Sequence, residues 1–126
     1  MYKRQRQIRA ATPGPYTFIL PATAEVPRRL MHPKKRTVGV RIPDHAVCQA
    51  LLKALGEPML TSTLILPGET EPRALGWEIK EELDHAVDLI VESGEVLAQQ
   101  TTVIDWSEGY PDVVRRGAGD PGRFEE

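Results

Sequence analysis

The spacing of apolar and polar residues changes several times along this chain, and each change marks an element. Tyr16 to Leu20 is a run of β-favouring residues. It follows a rigid Thr12-Pro13-Gly14-Pro15 turn and stops at Pro21, which predicts a strand. Thr23 is placed to cap a short helix reaching about Met31, with Pro27 in its first turn and His32-Pro33 ending it. After the basic loop Lys34-Lys35-Arg36, Val38, Val40 and Ile42 alternate with Gly39 and Arg41, a second strand over 37–42 with Arg41 on the face opposite the valines. Asp44 is a suitable N-cap, and Val47, Leu51, Ala54 and Leu55 form a stripe of period 3.6 that Gly56 terminates.

Beyond Pro58, the run 59–66 predicts a buried strand with hydroxyls in its first half, closed by Pro67-Gly68. Leu75, Ile79 and Leu83 share one side of a predicted helix, and 87–91 reads as a strand stopped at Ser93-Gly94. Residues 101–106 and 112–116 read as paired strands around Ser107-Glu108-Gly109. Alternating strands and helices followed by a hairpin give an α/β fold with a mixed sheet, whose strand order this pattern does not define. Residues 1–9 carry no apolar stripe beyond Ile8, and the opening MYKRQ resembles translated adapter sequence. They are expected to be a non-native or disordered leader, with one domain over 10–121 and a loose tail over 122–126.

Composition excludes several classes. A length of 126 residues, 40% of them hydrophobic and 27% charged, suits one globular domain rather than a disordered chain. Cys48 is alone, so neither an internal disulfide nor a zinc pattern is available, and it is expected to be a small buried thiol. No apolar run is long enough for a membrane span or follows the basic start as a secretory core, which leaves the cytoplasm as the expected compartment. The net charge of −2 hides an asymmetry: residues 1–43 hold ten Lys or Arg and one acid, whereas 44–126 hold six and seventeen. The basic front can face the phosphates of a nucleotide or an RNA, or simply water.

No P-loop, dinucleotide fingerprint or nucleophile elbow is present, and His32, His45 and His85 lack ligand spacing, so no metal site is expected. What remains is a set of hydroxyls and arginines at strand ends. Thr17 follows the proline turn, and Arg41 ends the second strand. Thr61, Ser62 and Thr63 lie in an apolar run, Thr101 and Thr102 open another strand, and Arg115 ends the hairpin. A guanidinium fork and small neutral donors suit phosphate or carboxylate oxygens, although strands also favour threonine for packing alone.

These residues fall in five segments that, in this order, resemble the YrdC/YciO family: PGPYTFIL at 13–20, TVGVRIPDH at 37–45, PMLTSTLILPG at 58–68, TTVID at 101–105 and VVRRGAGDP at 113–121. The third and fifth look closer to the YciO branch. The resemblance implies a YrdC-like twisted mixed sheet with flanking helices. It also implies an activity like that of L-threonylcarbamoyladenylate synthases, which join L-threonine, bicarbonate and ATP into threonylcarbamoyl-AMP, release pyrophosphate and serve threonylcarbamoyladenosine modification of tRNA. On this basis Thr17, Arg41, Thr61, Ser62, Thr63, Thr102 and Arg115 would bind nucleotide and threonine. No cofactor would be tightly held, and Mg²⁺ would arrive with ATP. The family's alternative role, binding double-stranded RNA or tRNA through a basic surface, would fall to Arg28, Arg29, Lys34, Lys35 and Arg36. Two departures stand out. Leu64-Ile65 replaces the Ala-Asn that follows the enzymes' Ser-Thr-Ser run. The family domain also begins about 80 residues earlier, with a Lys-Arg…Lys-Pro-Leu signature that Lys3-Arg4 does not continue. The chain is therefore expected to be a C-terminal part lacking the front of the domain.

Overall fold

The computed structural model describes residues 2–70, 76–93 and 99–125. The chain divides into two compact units, Met1–Pro58 with Gln100–Glu126, and Met59–Gln99.

The first unit is built on a four-stranded mixed sheet in the order β2-β1-β3-β4. β1 (Tyr16–Pro21) pairs antiparallel with β2 (Thr37–Val40) and parallel with β3 (Thr102–Asp105). β3 pairs antiparallel with β4 (Asp112–Arg115) through the expected hairpin. A bulge between Val103 and Ile104 sets Arg115 opposite Val103 and Val113 opposite Ile104. Alternation sorts the side chains: Tyr16, Phe18, Thr102 and Ile104 are buried on one face, while Thr17, Val103 and Asp105 are half-buried on the other.

The core lies on the first face. Phe18, Ile104, Trp106, Tyr16, Phe124 and Ala11 are buried there, with Ile8, Leu20 and Val113 packed against them. Phe124 is its hub. Its ring meets those of Tyr16, Phe18 and Trp106 edge-on at centroid distances of 5.5, 5.6 and 5.8 Å, the arrangement favoured by the ring quadrupole.

Both ends of the chain depart from expectation. The segment set apart as a leader forms α1 (Tyr2–Ala11). Lys, Arg, Gln and Ala are strong helix formers, so propensity supplies what the missing apolar stripe does not. α1 is fixed by Ala11 in the core, by Arg4 Nη1 donating to the Trp106 carbonyl (3.2 Å) and by Arg123 Nη1 donating to the Ala10 carbonyl (3.2 Å). The expected loose tail is instead a 3₁₀ turn over Pro121–Phe124. Asp120 caps it by accepting from the Gly122 N–H, and the turn delivers Phe124 inward.

Further corrections are local. The predicted helix over 23–31 reduces to a 3₁₀ turn at Arg28–Leu30, because Pro27 interrupts the backbone ladder. α2 (Ala46–Leu55) starts after His45 rather than Asp44, and no side chain caps it. Gly56 ends it as expected, with φ of 74° and its N–H on the Leu52 carbonyl. Cys48 on α2 is half-exposed rather than buried.

The second unit contains α3 (Gly76–Leu83), which confirms the predicted helix from Gly76 onward; Leu75 lies outside the described residues. Among the described residues, the run 59–66, expected to be a buried strand, and the run 87–91, expected to be a strand, take part in no sheet, and Leu60 and Leu89 are 77% and 79% exposed. An apolar β-prone run becomes a strand only where its backbone groups find a partner ladder, and hydrophobic content alone does not supply one. Among the described residues, no helix is long and apolar enough to cross a membrane.

Candidate functional site

Three of the hydroxyl and guanidinium groups singled out in the sequence meet on the sheet face opposite the core. β1 brings Thr17 and the start of β3 brings Thr101, with their Oγ1 atoms 2.7 Å apart. β4 brings Arg115. Its Nη2 donates to the Thr101 carbonyl (2.8 Å) and to Thr101 Oγ1 (3.0 Å), and its Nε donates to the same carbonyl (3.1 Å). Gly39, on the neighbouring strand, lies beside Thr17: a Cβ on it would make an ordinary contact of 3.6 Å with the Thr17 methyl.

This arrangement has a direction. Thr101 Oγ1 accepts from a cation, which favours sending its own proton toward Thr17 Oγ1. Thr17 then keeps its hydroxyl proton for an outside acceptor. Arg115 is exposed, and among the described residues its Nη1 has no partner. Two donors, one of them cationic, thus remain for groups beyond the described residues.

Thr102, the threonine singled out by resemblance, has a different task. It is fully buried, and its Oγ1 donates to the Gly119 carbonyl (2.6 Å) and accepts from the Gly117 N–H (3.0 Å). Both glycines are needed. A Cβ at Gly117 would collide with the Gln100 and Thr101 carbonyls, and one at Gly119 would lie 2.6 Å from the Tyr16 ring. Thr102 therefore ties the GAGDP segment to the sheet, and the neighbouring Thr101 carries the accessible hydroxyl. Parity could have found this: Thr102 shares its face with Ile104 and Trp106, Thr101 with Val103 and Asp105.

The other candidates are placed as follows. Arg41 is one residue past β2, exposed and in irregular backbone. Thr61, Ser62 and Thr63 belong to the second unit, where they are exposed and Ser62 Oγ donates to the Thr63 carbonyl (3.4 Å). Arg28, Arg29, Lys34, Lys35 and Arg36 are all exposed in the β1–β2 connection. At the far end of β3, Asp105 Oδ1 accepts from Ser107 Oγ (2.6 Å) and the Ser107 N–H (2.9 Å). The Ser107 hydroxyl, then its N–H and more distantly Lys35, hold the Asp105 carboxyl below its ordinary range against a small opposing cost of burial.

The family model described as "Telomere recombination", which groups Sua5, YciO and YrdC, matches residues 2–117. The chain belongs to this family. It is 50% identical to Escherichia coli (strain K12) YciO over 115 residues, 91% of this chain and 56% of that protein. The E. coli YciO crystal structure superposes with a TM-score of 0.88 at 48% identity, covering 95% of this chain and 58% of the other. A threonylcarbamoyl-AMP synthase of Vibrio vulnificus (strain YJ016) is 32% identical over 86 residues, 68% of this chain and 45% of that enzyme. The P. abyssi Sua5 structure in complex with L-threonine matches with a TM-score of 0.80 at 25% identity, over 93% of this chain and 34% of that one. The chain thus spans little more than half the length of the curated YciO relatives it matches.

Proposed function

We propose that this chain contributes the amino-acid end of a threonylcarbamoyl-AMP synthase-like site, with Thr17 and Arg115, tied together through Thr101, receiving the carboxylate of L-threonine. The observation that carries this reading is the hydrogen-bonded relay from Arg115 through Thr101 to Thr17, which leaves Arg115 Nη1 and the Thr17 hydroxyl for one anionic group. The solved relative holding L-threonine supports the choice of amino acid.

In the whole reaction the threonine amine and bicarbonate form a carbamate with loss of water. A carbamate oxygen then attacks the α-phosphorus of ATP, presented as its Mg²⁺ complex, and pyrophosphate leaves. The relay would hold the carboxylate still so that the amine is presented in one orientation, a positioning effect rather than a proton transfer. Arg41 and the hydroxyls Thr61, Ser62 and Thr63 are proposed for the nucleotide on family resemblance alone. The complete activity is proposed for a chain of the relatives' full length.

The test is titration of this chain with L-threonine, read by backbone amide shifts. Saturable shifts at Thr17, Thr101 and Arg115, lost in Arg115→Gln, are expected. Threonine that leaves these amides unmoved at millimolar concentration sinks the assignment. For a full-length relative, the matching assay is pyrophosphate exchange into ATP that depends on threonine and bicarbonate.

A further inference from the structure

The connection between β1 and β2 carries a second candidate site, away from the relay. Residues 22–36 form an Ω-type loop, closed at its neck by the Ala22 N–H on the Arg36 carbonyl (2.9 Å). The loop is braced from inside. The Val26 N–H donates to Thr23, and the Leu30 N–H donates to Pro27. The Arg36 N–H donates to the His32 carbonyl, and His32 Nδ1 accepts from the N–H groups of Lys34 (3.2 Å) and Lys35 (3.1 Å). A loop of this length with so little regular structure is usually retained for a function.

The loop folds around a cleft of about 330 Å³, lined by Ala22, Thr23, Ala24, Val26, Arg28, Met31 and Arg36. Its five Lys and Arg residues divide in two. Arg28 and Arg36 line the cleft, whereas Arg29, Lys34 and Lys35 do not. Glu25, the loop's one acid, is also outside the lining. Among the described residues no carboxylate pairs with either Arg28 or Arg36. Arg36 has φ of 53°, a left-handed backbone that costs a residue with a Cβ and persists where the surroundings enforce it. The neck hydrogen bonds do so here.

We infer that this cleft binds a small phosphate monoester. Two guanidinium groups match the charge of a dianion, the Thr23 hydroxyl adds a neutral donor, and the Ala, Val and Met walls accept a short carbon body. The volume lies at the lower end of the ordinary range for ligand sites, about 300–1,000 Å³, which suits a small ester better than a nucleotide.

The experiment is a titration of the full 126-residue chain with glycerol 2-phosphate, followed by backbone amide shifts. Saturable shifts confined to 22–31 and 36, competed by inorganic phosphate, are expected. Arg28→Gln should weaken binding about tenfold or more, the loss of one charge-assisted contact. Arg36→Gly should do the same while leaving the fold at least as stable, because glycine accepts the left-handed backbone. Thr23→Val is a milder variant that leaves the loop's backbone bonds in place and should also weaken binding. No saturable shift at roughly 10 mM ester, weaker than any specific site of this kind, overturns the proposal. So does lactate binding as tightly as the ester, which would point to a carboxylate site. So do shifts centred on Lys34 and Lys35 that appear only with duplex RNA and survive Arg28→Gln.

Discussion

The Thr17 and Thr101 hydroxyls stand 2.7 Å apart across the parallel junction of β1 and β3, and Arg115 holds Thr101 from the other side. Neither threonine is free to rotate independently of the guanidinium. Arg115→Lys keeps the charge but cannot reproduce the fork. It is expected to weaken threonine binding about tenfold or more, measured by calorimetry, while changing stability by less than about 0.5 kcal/mol, as exposed substitutions do.

Thr102 and Thr17 should separate cleanly in unfolding experiments. Thr102→Val leaves the buried Gly119 carbonyl and the Gly117 N–H without their partner. The buried carbonyl costs about 1–3 kcal/mol and the part-buried N–H about 1 kcal/mol, so roughly 2–4 kcal/mol of destabilisation is expected. Thr17→Val, where water can reach the half-buried site, should cost under about 1 kcal/mol. Urea denaturation with an unchanged slope checks both.

Phe124 should behave as a core residue despite its place near the chain end. Phe124→Ala is expected to cost about 3–5 kcal/mol. Phe124→Leu keeps much of the volume and loses the three edge-on contacts, so about 1–2 kcal/mol is expected. Loss of near-ultraviolet ellipticity from Trp106 would accompany the first.

Asp105 gives the acid limb of stability a testable component. Its carboxyl is held below the ordinary range in the folded chain, chiefly by the Ser107 hydroxyl. Its contribution is therefore complete above the unfolded-state value and lost as pH falls through the lower folded-state value. Asp105→Asn and Ser107→Ala should each flatten the fall in stability over that acidic window and leave the slope above pH ~6 unchanged. Denaturation midpoints measured across pH decide it.

Much of the first unit was legible because local signals and burial agree there. The proline turn and alternation specified β1, Ser107-Glu108-Gly109 specified the β3–β4 hairpin, and Gly56 specified the end of α2. The errors arise where a local signal has no tertiary counterpart, or the reverse. The run 59–66 has the composition of a strand without a paired ladder, whereas α1 has a ladder without an amphipathic stripe. Phe124 was hidden by its turn-rich surroundings, since Asp120 and Pro121 look like loop residues yet aim the ring at Tyr16. Among the candidate hydroxyls, residue type is readable from the sequence, whereas strand parity is what separates the buried Thr102 from the half-buried Thr101.

The sheet order has a consequence for synthesis of the chain. The central parallel pair joins residues 86 positions apart, and the ring that locks the core arrives at position 124. Closing so long a loop is an entropic cost met before any contact repays it. Within this sequence β1 and β2 are complete long before β3 is made, and a two-stranded hairpin of that kind is too small to be stable by itself. The contacts of Tyr16 and Phe18 with Phe124 can form only once residue 124 has left the ribosome.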